Sequence, residues 1–192
     1  MQDPVPVVGA SRVEEHGLGQ CSECHSTSPA SLGGDVAKIL ITGMSGTGKS
    51  TALSELEKRG FPIVDTDIGG WTEWSEAEGG YVWREDLIED LLLRESRSTL
   101  YVSGTVSNQG RFYPRFDAVV LLTAPAEVLL GRIESRTSND YGKTASERTL
   151  ILRDLAEVEP LLRASCTHEL DATQAIDRVV DQLIEIGRDT SD

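Results

Sequence analysis

Residues 36–51 read VAKILITGMSGTGKST. Val36 to Thr42 is short, apolar and rich in β-branched residues, which is the pattern of a buried strand. Gly43 to Ser50 then matches G-x-x-x-x-G-K-[ST]. Lys49 to Arg59 has helical spacing, with Ala52, Leu53 and Leu56 on one side and Gly60 as the stop. A glycine-rich bend between a buried strand and a helix turns successive backbone N–H groups inward. Those donors and the positive helix end form a cradle for anions. On this reading Gly43, Ser45, Gly46, Thr47, Gly48, Lys49, Ser50 and Thr51 hold the phosphates of ATP or a close relative. Lys49 reaches the β- and γ-phosphates, and Ser50 offers its hydroxyl to Mg2+.

Downstream, Pro62 to Val64 reads as a second strand that runs into Asp65-Thr66-Asp67. Side-chain direction has a period of two in an extended chain, so the two aspartates point the same way, toward the γ-phosphate region. One of them orients Mg2+ and its waters; the other positions an attacking hydroxyl or accepts its proton. The third strand, ending Tyr101-Val102-Ser103-Gly104, has no Asp of its own for a metal.

The remaining pattern alternates. Ile68 to Gly80 looks irregular, Arg84 to Glu95 is an amphipathic helix, and Leu100 to Val102 and Ala118 to Leu122 are strands. Pro125 opens a helix to about Ser135, Thr137 to Ser146 is a polar loop, and one long helix spans Glu147 to Arg163. His168 to Leu170 is a fifth strand and Thr173 to Ile186 the last helix. Strands alternating with helices imply an α/β fold: a three-layer P-loop NTPase architecture with a five-stranded parallel sheet covered on both faces. Ligands of such sheets bind outside the carboxyl ends of the strands. Residues 36–192 are read as this P-loop domain, and residues 1–35, rich in Gly, Ser and Pro, as a flexible N-terminal extension. Its Cys21-Ser-Glu-Cys24-His25 string is read as an incidental thiol pair, because a zinc site needs four ligands and only His16 and His25 lie near.

The net charge is −14, and the 18 basic residues are scattered. A nucleic-acid partner needs clustered Lys and Arg, so that class is disfavoured. No run approaches the roughly 20 apolar residues that cross a bilayer, and the expected location is cytoplasmic with no membrane partner.

Arg132 and Arg136 lie four apart and share a helix face beside the polar loop. Such a segment closes over ATP, and Arg136 above all, with Arg132 and Lys143, brings positive charge to the transferring group. Gly104 and, beyond it, Asn108, Gln109 and Arg111 lie at the carboxyl edge, where they complete an acceptor pocket. Trp71, Trp74, Tyr81 and Trp83 are concentrated in one segment of an aromatic-poor chain. They either stack on an acceptor or form a small satellite core.

The stretch ILITGMSGTGKSTALSELEKRGFPIVDTD resembles the opening of shikimate kinase and its relatives, including gluconate and adenylate kinases. The resemblance covers roughly residues 36–190. It implies an ATP- and Mg2+-dependent kinase of nucleoside-monophosphate-kinase-like fold acting on a small-molecule acceptor. It implies that Asp65 helps hold the metal and that Asp67 contacts the acceptor hydroxyl. Glu78-Gly79-Gly80-Tyr81-Val82-Trp83-Arg84 is similar to the family's acceptor-gripping segment, which makes Arg84 an acceptor ligand. Ser103-Gly104-Thr105 replaces the family's three glycines, and the lid string R-P-L-L is absent. These departures point to an acceptor other than shikimate. The competing expectation is an ATP-binding regulator that switches a protein partner.

Overall fold

The computed structural model describes residues 36–94, 96–137 and 140–190. The expected extension over 1–35, with Cys21, Cys24 and His25, lies outside the described residues. Five parallel strands form the main sheet: β1 (Lys38–Thr42), β2 (Ile63–Asp65), β5 (Leu100–Ser103), β6 (Ala118–Thr123) and β7 (His168–Asp171), in the order β2-β5-β1-β6-β7. β1 sits in the middle, and neighbours bury it on both edges.

Alternation along β1 explains the layers. Ile39 and Ile41 face one side and pack with Ala52, Leu53 and Leu56 of α1 (Lys49–Lys58) and with Val179, Val180 and Leu183 of α6 (Ile176–Asp189). Leu40 faces the other side, against Ile88 and Leu92 of α2 (Glu85–Leu93) and Phe112 of a 3-10 helix (Ser107–Arg115). A parallel sheet is buried on both faces, so β1 and β6 are apolar at nearly every position rather than at every second one. A smaller cluster joins Met44 and Leu121 to Leu129 of α3 (Ala126–Ser135) and Leu162 of α5 (Glu159–Ser165). Among the described residues no helix is long and apolar enough to cross a membrane.

Four sequence expectations change. The stretch expected to be irregular between Ile68 and Gly80 contains β3 (Thr72–Ser75), which pairs antiparallel with β4 (Gly80–Trp83) in a separate hairpin. β3 is four residues long and has no buried position, so no period-two pattern marks it. The single long helix is two, α4 (Ala145–Glu157) and α5, meeting at Val158. Pro160 sits in the first turn of α5, where its missing N–H is harmless, whereas inside a continuous helix it would break a hydrogen bond. The last helix starts at Ile176, not Thr173, because Asp171 Oδ1 accepts from the Thr173 N–H (2.8 Å) and hydroxyl (2.6 Å) and holds that stretch as a turn.

α4 begins at Ala145 rather than at about Glu147, and its start is a reciprocal cap. The Glu147 N–H donates to Thr144 Oγ1 at 3.3 Å, and Glu147 Oε2 accepts from the Thr144 N–H at 3.1 Å. Glu147 Oε2 also accepts from the Gly142 N–H, at 3.2 Å, so the cap fastens the preceding loop as well. Thr144→Ala is expected to cost about 1 kcal/mol. A lowered urea midpoint with unchanged slope measures this; an unmoved midpoint would show the loop is held by other means.

Candidate functional site

The loop between β1 and α1 is shaped by three glycines with positive φ: Gly43 (145°), Gly46 (89°) and Gly48 (98°). At Gly43 a Cβ would fall on the Leu122 carbonyl oxygen of β6, and at Gly46 it would lie 2.9 Å from the Leu129 carbonyl oxygen of α3. The bend is therefore pressed against its neighbours as well as turned. Thr47 closes it from within: its hydroxyl donates to the Met44 carbonyl at 2.9 Å. Thr105, two residues beyond the end of β5, closes it from the other side: its hydroxyl donates to the Gly43 carbonyl at 2.9 Å.

Lys49 lies under this loop, its ammonium donating to the carbonyls of Gly43 (2.6 Å) and Met44 (3.4 Å). Burial lowers the Lys49 pKa, while the carboxylates of Asp67 and Asp65 pull it back up. Ser50 Oγ donates to Asp65 Oδ2 at 2.9 Å, and Asp65 Oδ1 accepts from the Asp67 N–H at 3.1 Å. One carboxylate thus ties the first turn of α1 to the end of β2. Asp67 is solvent-exposed as a residue, yet its carboxyl is drawn from water in the cleft, and this pushes its pKa up. Lys49 opposes that rise and Asp65 adds to it.

Lys49, Ser50 and Asp67 line one side of a cleft of about 460 Å³, which also takes in Arg132, Arg136, Gln174 and Ile176. Arg132 spans it. Its guanidinium donates to the Ala172 carbonyl beyond β7 at 2.7 Å and to the Thr47 carbonyl at 3.4 Å. Arg136 donates to the Tyr141 carbonyl at 2.6 Å, which ties it to the far part of the polar loop.

The cleft brings together Ser45 to Thr51, Asp67, Arg132 and Arg136 from the sequence reading, but its lining does not include Gly43, Arg84, Gly104 or Arg111, nor Asp65, which bonds to Ser50 of the lining. Arg84 pairs with Asp86 at 3.5 Å. Arg111 is exposed and pairs with Glu85, with Glu78 3.9 Å away. Gly104 is a packing glycine: a Cβ there would collide with Thr66 Oγ1 and lie 2.9 Å from the Trp83 ring. Asn108 and Gln109 are buried and serve the framework. Asn108 holds the Trp83 backbone by both its N–H (2.8 Å) and its carbonyl (3.0 Å). Gln109 donates to Tyr113 Oη at 2.9 Å. Lys143, expected near the transferring group, caps the end of α3 instead, donating to the carbonyls of Arg136 (2.6 Å) and Glu134 (2.7 Å). A helix C-terminus offers unpaired carbonyls, and a lysine within reach is drawn to them.

The aromatic segment divides. Trp83 is fully buried, its indole N–H donating to Thr66 Oγ1 at 2.8 Å, and Trp71 packs against the same core. Trp74 and Tyr81 meet edge-to-face at 5.5 Å on the hairpin and are 55% and 63% exposed. The sequence had no means of finding Thr105, whose brace depends on β5 lying beside β1, or Gln174 and Ile176, which reach the cleft from the far end of the chain.

The donor set suits Mg2+. Among the described residues no three His, Cys, Asp or Glu side chains gather as a self-sufficient metal cage. A hydroxyl and a carboxylate, both hard oxygen donors, are what Mg2+ takes when phosphates and waters fill its remaining positions.

A glycine-lined phosphate cradle on a five-stranded parallel sheet, with a lysine under it and a hydroxyl–carboxylate pair beside it, defines a P-loop nucleotide-binding protein of the small-kinase type. The family described as AAA domain matches residues 39–153. Shikimate kinase 2 of Yersinia enterocolitica is 30% identical over 169 residues, which cover 79% of this chain and 95% of that protein. A nucleotide-binding protein of Deinococcus radiodurans is 32% identical over 152 residues and 74% of this chain, and the chain spans about half of it (51%). Shikimate kinase from Acinetobacter baumannii in complex with shikimate shares the fold, with a TM-score of 0.59 at 19% identity over 82% of this chain and 96% of that one. The chain belongs to the AAA-domain family of P-loop proteins and to the family of the Yersinia shikimate kinase.

Proposed function

We propose that this protein is an ATP-dependent small-molecule kinase that transfers the γ-phosphoryl group to an acceptor hydroxyl. The observation that carries the reading is Asp67, a carboxylate with a raised pKa, in the same cleft wall as Lys49 and the glycine bend. The backbone donors of residues 43–51 and Lys49 hold the triphosphate. Lys49 exchanges its bonds to the Gly43 and Met44 carbonyls for phosphate oxygens, whose negative charge favours the ammonium form. Ser50 and Asp65 would hold Mg2+, which neutralises charge on the β- and γ-phosphates. Asp67 aligns the acceptor hydroxyl. The acceptor oxygen bonds to the γ-phosphorus, the bond to the β–γ bridging oxygen breaks, ADP leaves, and the hydroxyl proton passes to Asp67 and then to water. Arg136 brings positive charge to the transferring group, and Arg132 fixes the cradle against the nucleotide side of the cleft.

The acceptor is not shikimate on this reading. Arg84 and Arg111 are each engaged by carboxylates of this chain, which compete with an acidic acceptor for them. Tyr81 and Trp74 oppose each other across the hairpin, on the face that buries Trp83. They offer an exposed aromatic edge to an acceptor with a flat or apolar side.

The test is a screen of nucleosides, polyols and other hydroxylated metabolites for phosphate acceptance from ATP with Mg2+. One compound that accelerates ADP release and appears phosphorylated supports the kinase. ATP turnover indifferent to every acceptor supports the regulatory ATPase instead. In the same assay Asp67→Asn is expected to lower kcat by roughly 10²–10⁴-fold with little change in ATP affinity. The sign of the pH dependence follows from the raised pKa. Asp67 is protonated at pH values where an ordinary aspartate, at 3.8, is ionised, so kcat/KM falls as pH drops through a value above 3.8. Asp67→Asn should erase that acid limb, and a limb that persists would reassign the proton acceptor.

A further inference from the structure

Trp83 shares an apolar cluster with Leu40 and Val102 of the sheet and Ile88 of α2, and its ring meets Phe112 edge-to-face at 5.7 Å. A phenylalanine suits such surroundings as well; an indole in a dry core also needs a partner for its N–H. That N–H reaches Thr66 Oγ1 at 2.8 Å. An indole nitrogen only donates, so the single proton of the Thr66 hydroxyl is left for the Ser103 carbonyl, at 2.7 Å. The Thr66 backbone N–H donates to the same carbonyl at 2.9 Å. The chain keeps this joint clear of other side chains: only a glycine at position 104 leaves the Thr66 hydroxyl and the Trp83 ring where they are.

Thr66 is the middle residue of Asp65-Thr66-Asp67. The Ile68 N–H donates to the Asp65 carbonyl at 3.3 Å and closes a four-residue turn, with Thr66 and Asp67 as its central pair. The two central residues face opposite environments. Thr66 is buried, whereas Asp67 is exposed and stands on the cleft wall with Lys49. The turn is thus fastened to the core through Thr66, and the next residue presents the carboxylate. The other end of the fastening is itself fixed. Asn108 holds both backbone polar groups of Trp83, and Trp83 stands opposite Thr72 in the hairpin.

Resting on the kinase reading above, we infer that Trp83 is a positioning residue for phosphoryl transfer, its indole N–H acting through the Thr66 hydroxyl to fix the turn that aims the Asp67 carboxylate. Trp83 is fully buried and touches neither nucleotide nor acceptor. A reacting group displaced by about 1 Å loses on the order of 10²-fold in rate, so a bond lost one residue from Asp67 reads out in turnover. The nucleotide cradle lies on a different pair of elements, β1 and α1, and has its own braces in Thr47 and Thr105. ATP binding is therefore unaffected by the loss.

The full chain is tested as the parent, Trp83→Phe, Thr66→Val and Thr66→Ser. ATP turnover with Mg2+ is measured with the acceptor that the screen above selects, and with water where it selects none. Trp83→Phe and Thr66→Val are expected to lower kcat by roughly 10–10²-fold with an unchanged KM for ATP. Thr66→Ser keeps the hydroxyl and should keep the parental kcat. The two residues act as one unit, so the double variant should be no slower than Thr66→Val. A second measurement needs no nucleotide. The nuclear magnetic resonance order parameter of the Asp67 amide is expected to fall in Trp83→Phe from about 0.85 toward about 0.6. A parental kcat in Trp83→Phe, or an Asp67 amide as rigid as the parent's, overturns the inference and leaves the kinase reading intact. A KM for ATP that rises as far as kcat falls shows general damage and also overturns it, as does a Thr66→Ser variant as slow as Thr66→Val. A parent that turns over no ATP with any acceptor or with water overturns both.

Discussion

Lys49→Ala is expected to reduce phosphoryl transfer by at least about 10³-fold, in the range found when a preorganised charge or donor is taken from a transition state. In the free protein the ammonium spends its bonds on the Gly43 and Met44 carbonyls. The alanine variant loses little stability, because the glycine bend keeps its shape through Thr47 and Thr105. In the transition state no water substitutes for a fixed cation. Charge spreads over the transferring oxygens at a point where Asp65 and Asp67 already add negative potential. The melting temperature should therefore stay within about 2 °C of the parent, a shift of under ~1 kcal/mol for a chain of this size, while turnover collapses. Lys49→Arg should not restore activity, because a planar guanidinium does not fit the position of a compact ammonium under the loop. Near-parental turnover in Lys49→Ala would remove the mechanism altogether.

How much of this was legible in the sequence depended on the range of the interaction. The β1–loop–α1 unit was readable from Val36 to Arg59 because all its determinants are local: a buried strand, a glycine pattern and an apolar helix face. The Ser50–Asp65 pair was also within reach, since a helix that returns the chain to a parallel strand leaves the end of β2 at the same sheet edge as the start of α1. The roles of Lys143, Asn108 and Gln109 were not within reach. Each is polar and near the right strand end, which is all a sequence discloses. Whether such a side chain meets a ligand or an unpaired carbonyl is set by what packs against it: the end of α3 for Lys143, the Trp83 backbone for Asn108. The strand at Thr72–Ser75 was hidden because it has no buried position, and alternation is visible only where one face is dry.

Gly43→Ala is expected to be far more damaging than Gly48→Ala, although both are glycines of the same motif with positive φ. Both substitutions carry the strain of a left-handed or neighbouring backbone region, roughly 1–2 kcal/mol. They differ in what the new methyl meets. Nothing lies within 4 Å of a Cβ at Gly48, whereas at Gly43 the methyl would sit on the Leu122 carbonyl oxygen. That oxygen belongs to β6, which pairs with β1 from Ile39 through Thr42, so it cannot retreat without parting the two central strands. The loop must move instead. In moving it carries away the Gly43 carbonyl, the acceptor of both Lys49 and Thr105, and with it the line of N–H groups that faces the phosphates. Adding overpacking of about 1–3 kcal/mol to the strain gives a melting-temperature loss on the order of 10 °C and no measurable nucleotide affinity. Gly48→Ala should lose only a few degrees and retain binding. Calorimetric melting with and without ATP on the two variants makes the comparison, and equal losses would mean that backbone strain alone, rather than the pressure of β6 on the bend, sets the shape of the phosphate cradle.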